Sequence, residues 1–295
     1  MSAVNNTATT RVQYKKRSQT KEIWRRFRKN KSSIIGMIII AILIICAIFA
    51  ENIAPYDPVK QDYAHTLEHP SKEHIFGTDE FGRDIFSRII FGARTSLSVG
   101  LISVSISCIV GGVIGAISGY FGGRIDTFIM RCMDVFLAIP SILFNISIIA
   151  ALGPGIVNMM IAVGVSNIPR YCRIMRASVL QIKNQEFIEA AKAGGALDFF
   201  IITFHVVPNS LAPIIVQATL NVGSAIIACA GLSFIGVGIS PPTPEWGAML
   251  SNGRDLLRNY SYITAFPGLA IMITVLSLNL MGDGLRDAFD PKLKR

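Results

Sequence analysis

Charged residues are scarce in this sequence and missing from its longest apolar stretches. Only 16% of the 295 residues are Asp, Glu, Lys or Arg, whereas a soluble domain usually has about a quarter. Charge-free apolar stretches cover residues 34–50, 95–121, 135–152, 156–169, 206–235 and 263–281. About 20 apolar residues cross the ~30 Å hydrocarbon core of a bilayer as a helix. The sequence therefore predicts an all-α integral membrane protein with six transmembrane helices, of which the fourth is short and closed by Pro169.

Two kinds of functional group are also missing. No GxxxxGK[ST] occurs, so this chain has no such loop to cradle nucleotide phosphates, and any ATP hydrolysis must belong to another subunit. The spans contain no Asp, Glu, Lys or Arg, the groups that proton- and ion-coupled carriers place near the membrane midplane. This disfavours a stand-alone secondary carrier but leaves it open, because backbone carbonyls can bind sodium. A membrane scaffold without a transport role is the third hypothesis.

The metal-binding and redox residues show no compact pattern. Five cysteines are scattered without a CxxC pair, which favours small buried apolar residues over a disulfide framework. His65, His69 and His74 share a loop with Glu68 and Glu73, but their spacing matches no compact ligand motif. We predict no metal, no cofactor and no catalytic residue. Nearby Asp79, Arg83 and Asp84 are interpreted as a structural charge network.

The charge distribution predicts the topology. Residues 1–31 hold ten Lys or Arg and one acid, and so carry the whole net charge of +9. A basic lead before an apolar span stays in the cytoplasm, and with no aromatic-interleaved basic surface it does not indicate nucleic-acid binding. We expect both termini in the cytoplasm of a multi-pass cell-membrane protein. The expected parts are a basic cytoplasmic segment (1–31), a first transmembrane helix (32–50), an extracytoplasmic loop (51–94), a five-helix core (95–283) with a cytoplasmic loop (170–209), and a cytoplasmic tail (284–295).

The loop at 170–209 is the one internal loop large enough to meet a partner. Residues 186–193 suit a short helix with acids in its first turn, and two glycines then end it. A second helix, Ala196–Phe204, is expected to run to Pro208. An ordinary surface helix-turn-helix is the alternative. The residues of the candidate docking surface are Glu186, Glu189, Ala190, Ala191, Gly194, Gly195 and Pro208.

These residues resemble the EAA motif of type I ABC importer permeases: Glu189-Ala190-Ala191, three residues, Gly195, and Pro208 thirteen positions later. Residues 74–84, HIFGTDEFGRD, are similar to the outer-loop signature of the C-type subunit of dipeptide and oligopeptide permeases. Residues 241–247, PPTPEWG, are similar to that subunit's loop before its last span. The resemblance covers nearly the whole chain, and its one mild departure is His205-Val206-Val207 before Pro208.

The resemblance implies a fold and partners. The fold is that of a type I ABC importer permease, and the segment around Glu189 is its coupling helix, which docks on an ATP-binding subunit. The partners implied are a second homologous permease, two ABC ATPase subunits and an extracytoplasmic substrate-binding protein. The cargo implied is di- or oligopeptide, although sister members carry nickel or other small solutes.

Polar residues inside the apolar stretches are candidates for the translocation path. The alternative is hydrogen bonding between packed helices. The candidates are Asn145, Ser147, Asn158, Asn221 and Ser224.

Overall fold

The computed structural model describes residues 19–239 and 241–289. Over these ranges the chain is helical without a β-strand, and one isolated antiparallel bridge joins Thr78 to Asp84. The helices are α1 (Gln19–Phe27), α2 (Lys31–Ile48), α3 (Ala50–Ile53), α4 (Ile85–Phe121), α5 (Gly123–Ala138), α6 (Ser141–Leu152), α7 (Ile156–Ile182), α8 (Glu186–Ala193), α9 (Asp198–Phe200), α10 (Val207–Phe234), α11 (Trp246–Gly253) and α12 (Tyr262–Phe289).

Four helices of the described region are long and apolar enough to cross a membrane. They are α2, α4, the continuous helix Asp198–Phe234 and α12. A fifth span is formed if α5 and α6, which meet at a 91° bend, are counted together. The all-helical membrane class is thus confirmed, and the predicted number of six is reached only when α7 is counted too. The C-terminal half of α7 carries Arg170, Arg173 and Arg176, which lowers its apolarity.

The second predicted span begins earlier than its apolar run. α4 starts at Ile85 rather than near residue 95, because Asp84 caps it: the Asp84 carboxylate accepts hydrogen bonds from the Ser87 N–H and the Ser87 hydroxyl, each at 2.7 Å. Such a cap satisfies donors that the first turn of a helix leaves open. Residues 85–94 are therefore helical although they precede the apolar run that predicted this span.

α4 and α7 form the central helix pair of the bundle. A Cβ atom added at Gly111 would lie 2.6 Å from the carbonyl oxygen of Ile168, and one at Gly119 would lie 2.9 Å from the Cβ of Val179. The glycines of α4 thus let the α7 backbone approach closely. This packing on both sides of Pro169 explains why that proline does not end the helix as predicted, and α7 continues to Ile182.

The two ends of the bundle are built differently. At one end the loop before α4 and the start of α4 pack on the later helices. The Tyr262 hydroxyl donates to the Thr78 carbonyl of the loop over 3.2 Å, and the Trp246 indole donates to the Ile89 carbonyl of α4 over 3.1 Å. At the other end α1 and the ends of α10 and α12 surround a groove of about 450 Å³. The loop that carries α8 leads into α10 at this second end.

Candidate coupling surface and membrane cavity

The predicted short helix is present with its predicted bounds. α8 runs over Glu186–Ala193, and its first turn carries Glu186 and Glu189. Carboxylates there interact favourably with the positive end of the helix dipole. α8 thus begins at Glu186, the first of the two acids.

A glycine cap ends α8. The Ala196 N–H donates to the Ala191 carbonyl over 3.1 Å, and the Gly195 N–H donates to the Lys192 carbonyl over 3.0 Å. This pair of bonds is the Schellman pattern, which needs a left-handed residue after the helix. Gly195 fills that position with φ +78°, whereas Gly194 has an ordinary φ of −75°. Only one of the two glycines is therefore conformationally required.

One face of α8 is open and the other is embedded. Ile188 is fully buried in the main core cluster, and Ala191 is half-buried against it. The exposed members of the predicted docking set in this segment are Glu186, Glu189, Ala190, Gly194 and Gly195. The open face thus offers two carboxylates and small residues that permit close approach.

Two contacts join the chain at and just after α8 to the end of α4, and a third joins the end of α7 to α4. The Tyr120 hydroxyl donates to the Asp198 carboxylate over 2.5 Å. The Lys192 ammonium lies 5.1 Å from the centroid of the Tyr120 ring, within cation–π range. The Lys183 ammonium donates to the Gly119 carbonyl over 3.0 Å. Sequence reasoning missed this anchor because no local pattern connects Tyr120 to Asp198, which is 78 positions away.

The chain after α8 differs from the expectation. The predicted separate helix Ala196–Phe204 is instead α9, which continues through a π-helical segment, Ile201–Val206, directly into α10. Pro208 lies exposed in the first turn of α10. The Val207 N–H donates to the carbonyl of Ile202, five residues back. The backbone hydrogen bonds have therefore already changed to the π-helical pattern just before Pro208, which has no N–H to donate.

Exposed apolar side chains surround this junction. Leu197 is 78% exposed, Phe199 77% and Phe204 60%. Phe199 and Phe204 lie on the helix Asp198–Phe234, which is apolar enough to cross a membrane, and Leu197 directly precedes it. In the sequence this group corresponds to the run Leu197-Asp198-Phe199-Phe200.

An open cavity of about 390 Å³ lies between α4, α6, α7 and α10, and its lining residues Ile142 and Ile227 are 52% and 53% exposed. Of the predicted path residues, the structure brings three together on its wall: Asn145, Asn221 and Ser224. Further polar residues that sequence reasoning missed line the same cavity: Ser103, Ser107, Ser141, Ser166 and Asn167. Ser103 and Ser107 are four residues apart on α4, the spacing that puts side chains on one helix face.

Two predicted path residues lie elsewhere. The Ser147 hydroxyl is exposed and donates to the Leu143 carbonyl of its own helix over 2.9 Å. The Asn158 amide donates to the carbonyls of Leu152 and Gly153 over 2.9 and 3.0 Å, and so fastens the turn between α6 and α7. Neither residue lines the cavity.

The loop before α4 contains a charge network with two of its three predicted members, Asp79 and Arg83, whereas Asp84 instead caps α4 and bonds to His74. The Arg83 guanidinium lies 2.7 Å from the Asp79 carboxylate, and the Arg88 guanidinium lies 3.6 Å from the same carboxylate. Arg88 also donates to the Pro58 carbonyl over 2.7 Å. All three charged side chains are largely buried, so the network is structural: it fixes the loop on top of α4.

Each loop histidine has a partner. His65 lies 3.0 Å from Asp62, and this hydrogen bond raises the pKa of His65 and lowers the pKa of Asp62. His74 lies 2.9 Å from Asp84. His69 packs against the ring of Tyr262, with centroids 5.3 Å apart. In the part of the chain that the structure describes, no three of the possible metal-ligating side chains are grouped around one point.

The described chain is a helical bundle with several apolar spans, a cavity between them and an exposed helix at one end. Residues 111–295 match the family model described as "Binding-protein-dependent transport system inner membrane component". Residues 18–70 match the model "N-terminal TM domain of oligopeptide transport permease C". The chain belongs to this family of permease subunits of ABC importers, and is a multi-pass protein of the plasma membrane.

Curated relatives match over nearly the whole chain. The dipeptide transport system permease protein DppC of Alkalihalophilus pseudofirmus is 48% identical over 96% of this chain and 93% of its own. The di/tripeptide transport system permease protein DppC of Pseudomonas aeruginosa is 44% identical over 100% and 99%. The glutathione transport system permease protein GsiD of Escherichia coli is 45% identical over 92% and 90%.

A solved structure shows the same fold. An inward-facing conformation of the MetNI methionine ABC transporter superposes with a TM-score of 0.57 at 16% identity, covering 69% of this chain and 97% of the matched chain. Membership of this family implies that the chain acts together with an ATPase, a substrate-binding protein and a second permease.

Proposed function

We propose that this chain forms one half of the membrane channel of a peptide importer. Its partners are one second homologous permease, two ATPase subunits and one extracytoplasmic substrate-binding protein. The relatives named above transport dipeptides, di- and tripeptides, and glutathione. Because these are all short peptides, they favour peptide over nickel or another small solute as the cargo.

The observation that carries the proposal is the anchored α8. Its exposed face presents Glu189 and Ala190 to a partner, while Ile188 is fully buried in the core and Tyr120 bonds to the chain just beyond the cap. A partner that moves α8 therefore moves α4 and α7, two of the helices that enclose the cavity. A coupling element has to bias two global states in this way.

The proposed cycle is alternating access. ATP binding draws the two ATPase subunits together, and each pulls one coupling helix. The spans then rock so that the cavity opens to the outside, where the binding protein releases peptide. The path residues of this chain are Asn145, Asn221 and Ser224. ATP is hydrolysed by the partner subunits, and this chain contributes no catalytic residue.

The same end of the bundle holds both termini of the described chain and the α8 loop. Glu22 of α1, Pro208 of α10 and Phe289 of α12 line one groove there. The basic residues of 1–31 and of 170–209 support a cytoplasmic location for this end, where an ATPase can reach α8. The buried network around Asp79 then holds the opposite end, on which the binding protein docks.

Charge reversal at Glu189 tests the proposal. In the complex reconstituted with all its partners, Glu189→Lys should leave the protein inserted and assembled but uncouple peptide uptake from ATP hydrolysis. Asp287→Lys is the matched control, since Asp287 is exposed at the end of α12 on the same side. Wild-type uptake by Glu189→Lys would count against the coupling role, and peptide flux through this chain alone without ATP would favour a secondary carrier.

A further inference from the structure

The wall of the membrane cavity carries buried polar atoms with unused hydrogen-bonding capacity. Asn145 is 4% exposed and Ser103 1% exposed, and both line the cavity. Neither the Asn145 Oδ1 nor the Ser103 Oγ has a hydrogen-bond partner among the residues that the structure describes. Buried polar groups are nearly always paired, so such atoms call for an explanation, and a bound molecule is one.

Asn221 of α10 adds a third polar group to the lining of the cavity. Its Oδ1 accepts hydrogen bonds from the Arg170 guanidinium over 3.1 Å and from the Gln217 amide over 2.9 Å. Because both partners are donors, the orientation of the Asn221 amide is fixed. Its Nδ2 is left as a buried donor that makes no hydrogen bond within the described residues.

The character of the cavity narrows the ligand class. No Asp, Glu, Lys, Arg or His lines it, and its other walls are apolar, as at Val104, Val163 and Leu232. Cations would need carboxylates or several carbonyls, and phosphate would need basic groups. A neutral group that offers both a donor and an acceptor suits an acceptor at Asn145 and a hydroxyl at Ser103. A peptide amide is such a group, and about 390 Å³ lies within the roughly 300–1,000 Å³ typical of small-molecule sites.

We propose that this cavity is a transient binding site for the main chain of the transported peptide. Asn145 accepts a hydrogen bond from a peptide N–H, and the Ser103 hydroxyl or the Asn221 amide donates one to a peptide carbonyl. The inference rests on the proposed function, because it requires that peptide enters the bundle.

The test compares a peptide with its ester analogue in the fully reconstituted complex. Alanyl-alanine has the amide N–H, and alanyl-lactate has an ester oxygen in its place. With the binding protein saturated by either probe, uptake per ATP hydrolysed is measured for wild type and Asn145→Leu, which keeps the side-chain size but removes the acceptor. We expect Asn145→Leu to lower alanyl-alanine uptake about five-fold, the equivalent of one net hydrogen bond, and to leave alanyl-lactate uptake unchanged. Equal losses for both probes would overturn the proposal.

A second pair of variants distinguishes the loss of a cavity hydroxyl from a general effect of removing a serine hydroxyl from α4. Ser103→Ala should slow alanyl-alanine uptake several-fold. Ser105→Ala, two residues along the same helix, should not, because the Ser105 hydroxyl is exposed and already donates to the Leu101 carbonyl over 2.8 Å. Identical uptake in both variants would mean that the cavity groups only bind water. Failure of the wild-type complex to import alanyl-alanine at all would instead refute the proposed function.

Discussion

Replacing Gly195 by alanine should damage coupling, whereas the same change at Gly194 should not. Gly195 has φ +78°, and an added Cβ would meet nothing within 4 Å. The whole cost is thus the backbone strain of an L-residue in the left-handed region, about 1–2 kcal/mol. At Gly194, with φ −75°, an added Cβ would touch the Ala190 carbonyl oxygen at 3.4 Å, an ordinary contact. There alanine is neutral, or stabilising by about 0.4–1 kcal/mol through the unfolded chain.

A penalty of about 1–2 kcal/mol shifts the balance between capped and frayed α8 by roughly 5- to 30-fold. The assay is peptide uptake and ATP hydrolysis, measured together in proteoliposomes that contain the whole complex. Gly195→Ala should lower the uptake per ATP hydrolysed, and Gly194→Ala should match wild type. Equal behaviour of the two variants would refute the reasoning, because it would show that the left-handed cap does not hold the coupling segment.

Three further results are expected. Tyr120→Phe removes the hydrogen bond to the α8 segment, worth about 1.5–3 kcal/mol to a charged acceptor, and should lower uptake per ATP while the protein assembles normally; unchanged coupling would show that this anchor transmits nothing. Gly111→Ala should lower the stability of the purified protein by about 1–3 kcal/mol through overpacking against α7. Gly112→Ala should not, because nothing lies within 4 Å of the new atom. Equal melting temperatures for the two variants would rule out close packing at Gly111. Asp79→Asn leaves two buried arginines short of a counter-charge and should cost about 3–5 kcal/mol, seen as faster proteolysis of the outer loop, while Glu51→Gln, in an exposed pair, should leave proteolysis unchanged.

Local features of this chain could be predicted because local chemistry decides them. The bounds of α8 follow from its acids and from the glycine after it, and the membrane class follows from long charge-free runs. The start of α4 at Ile85 could not be placed by hydropathy, since the capping carboxylate of Asp84 decides it. Pro169 was expected to end a helix, and packing of α7 on the glycines of α4 overrides that local preference.

The cavity residues likewise divide into those that the local sequence predicts and those that it does not. Asn145, Asn221 and Ser224 were chosen as polar residues in apolar runs, and all three line the same cavity. Ser147 was chosen on the same ground but points away, since two positions along a helix turn a side chain to another face. The anchor through Tyr120 depends on a tertiary contact, for which a single sequence carries no signal.

The central claim, that α8 faces the cytoplasm and is open to an ATPase, is tested most directly by labelling. A single cysteine is placed at Ala190, which is exposed, in a chain whose five native cysteines are replaced. A membrane-impermeant maleimide should label it in inside-out vesicles and not in right-side-out vesicles, and bound ATPase subunits should protect it. Labelling in right-side-out vesicles would place α8 on the outer face and contradict the account.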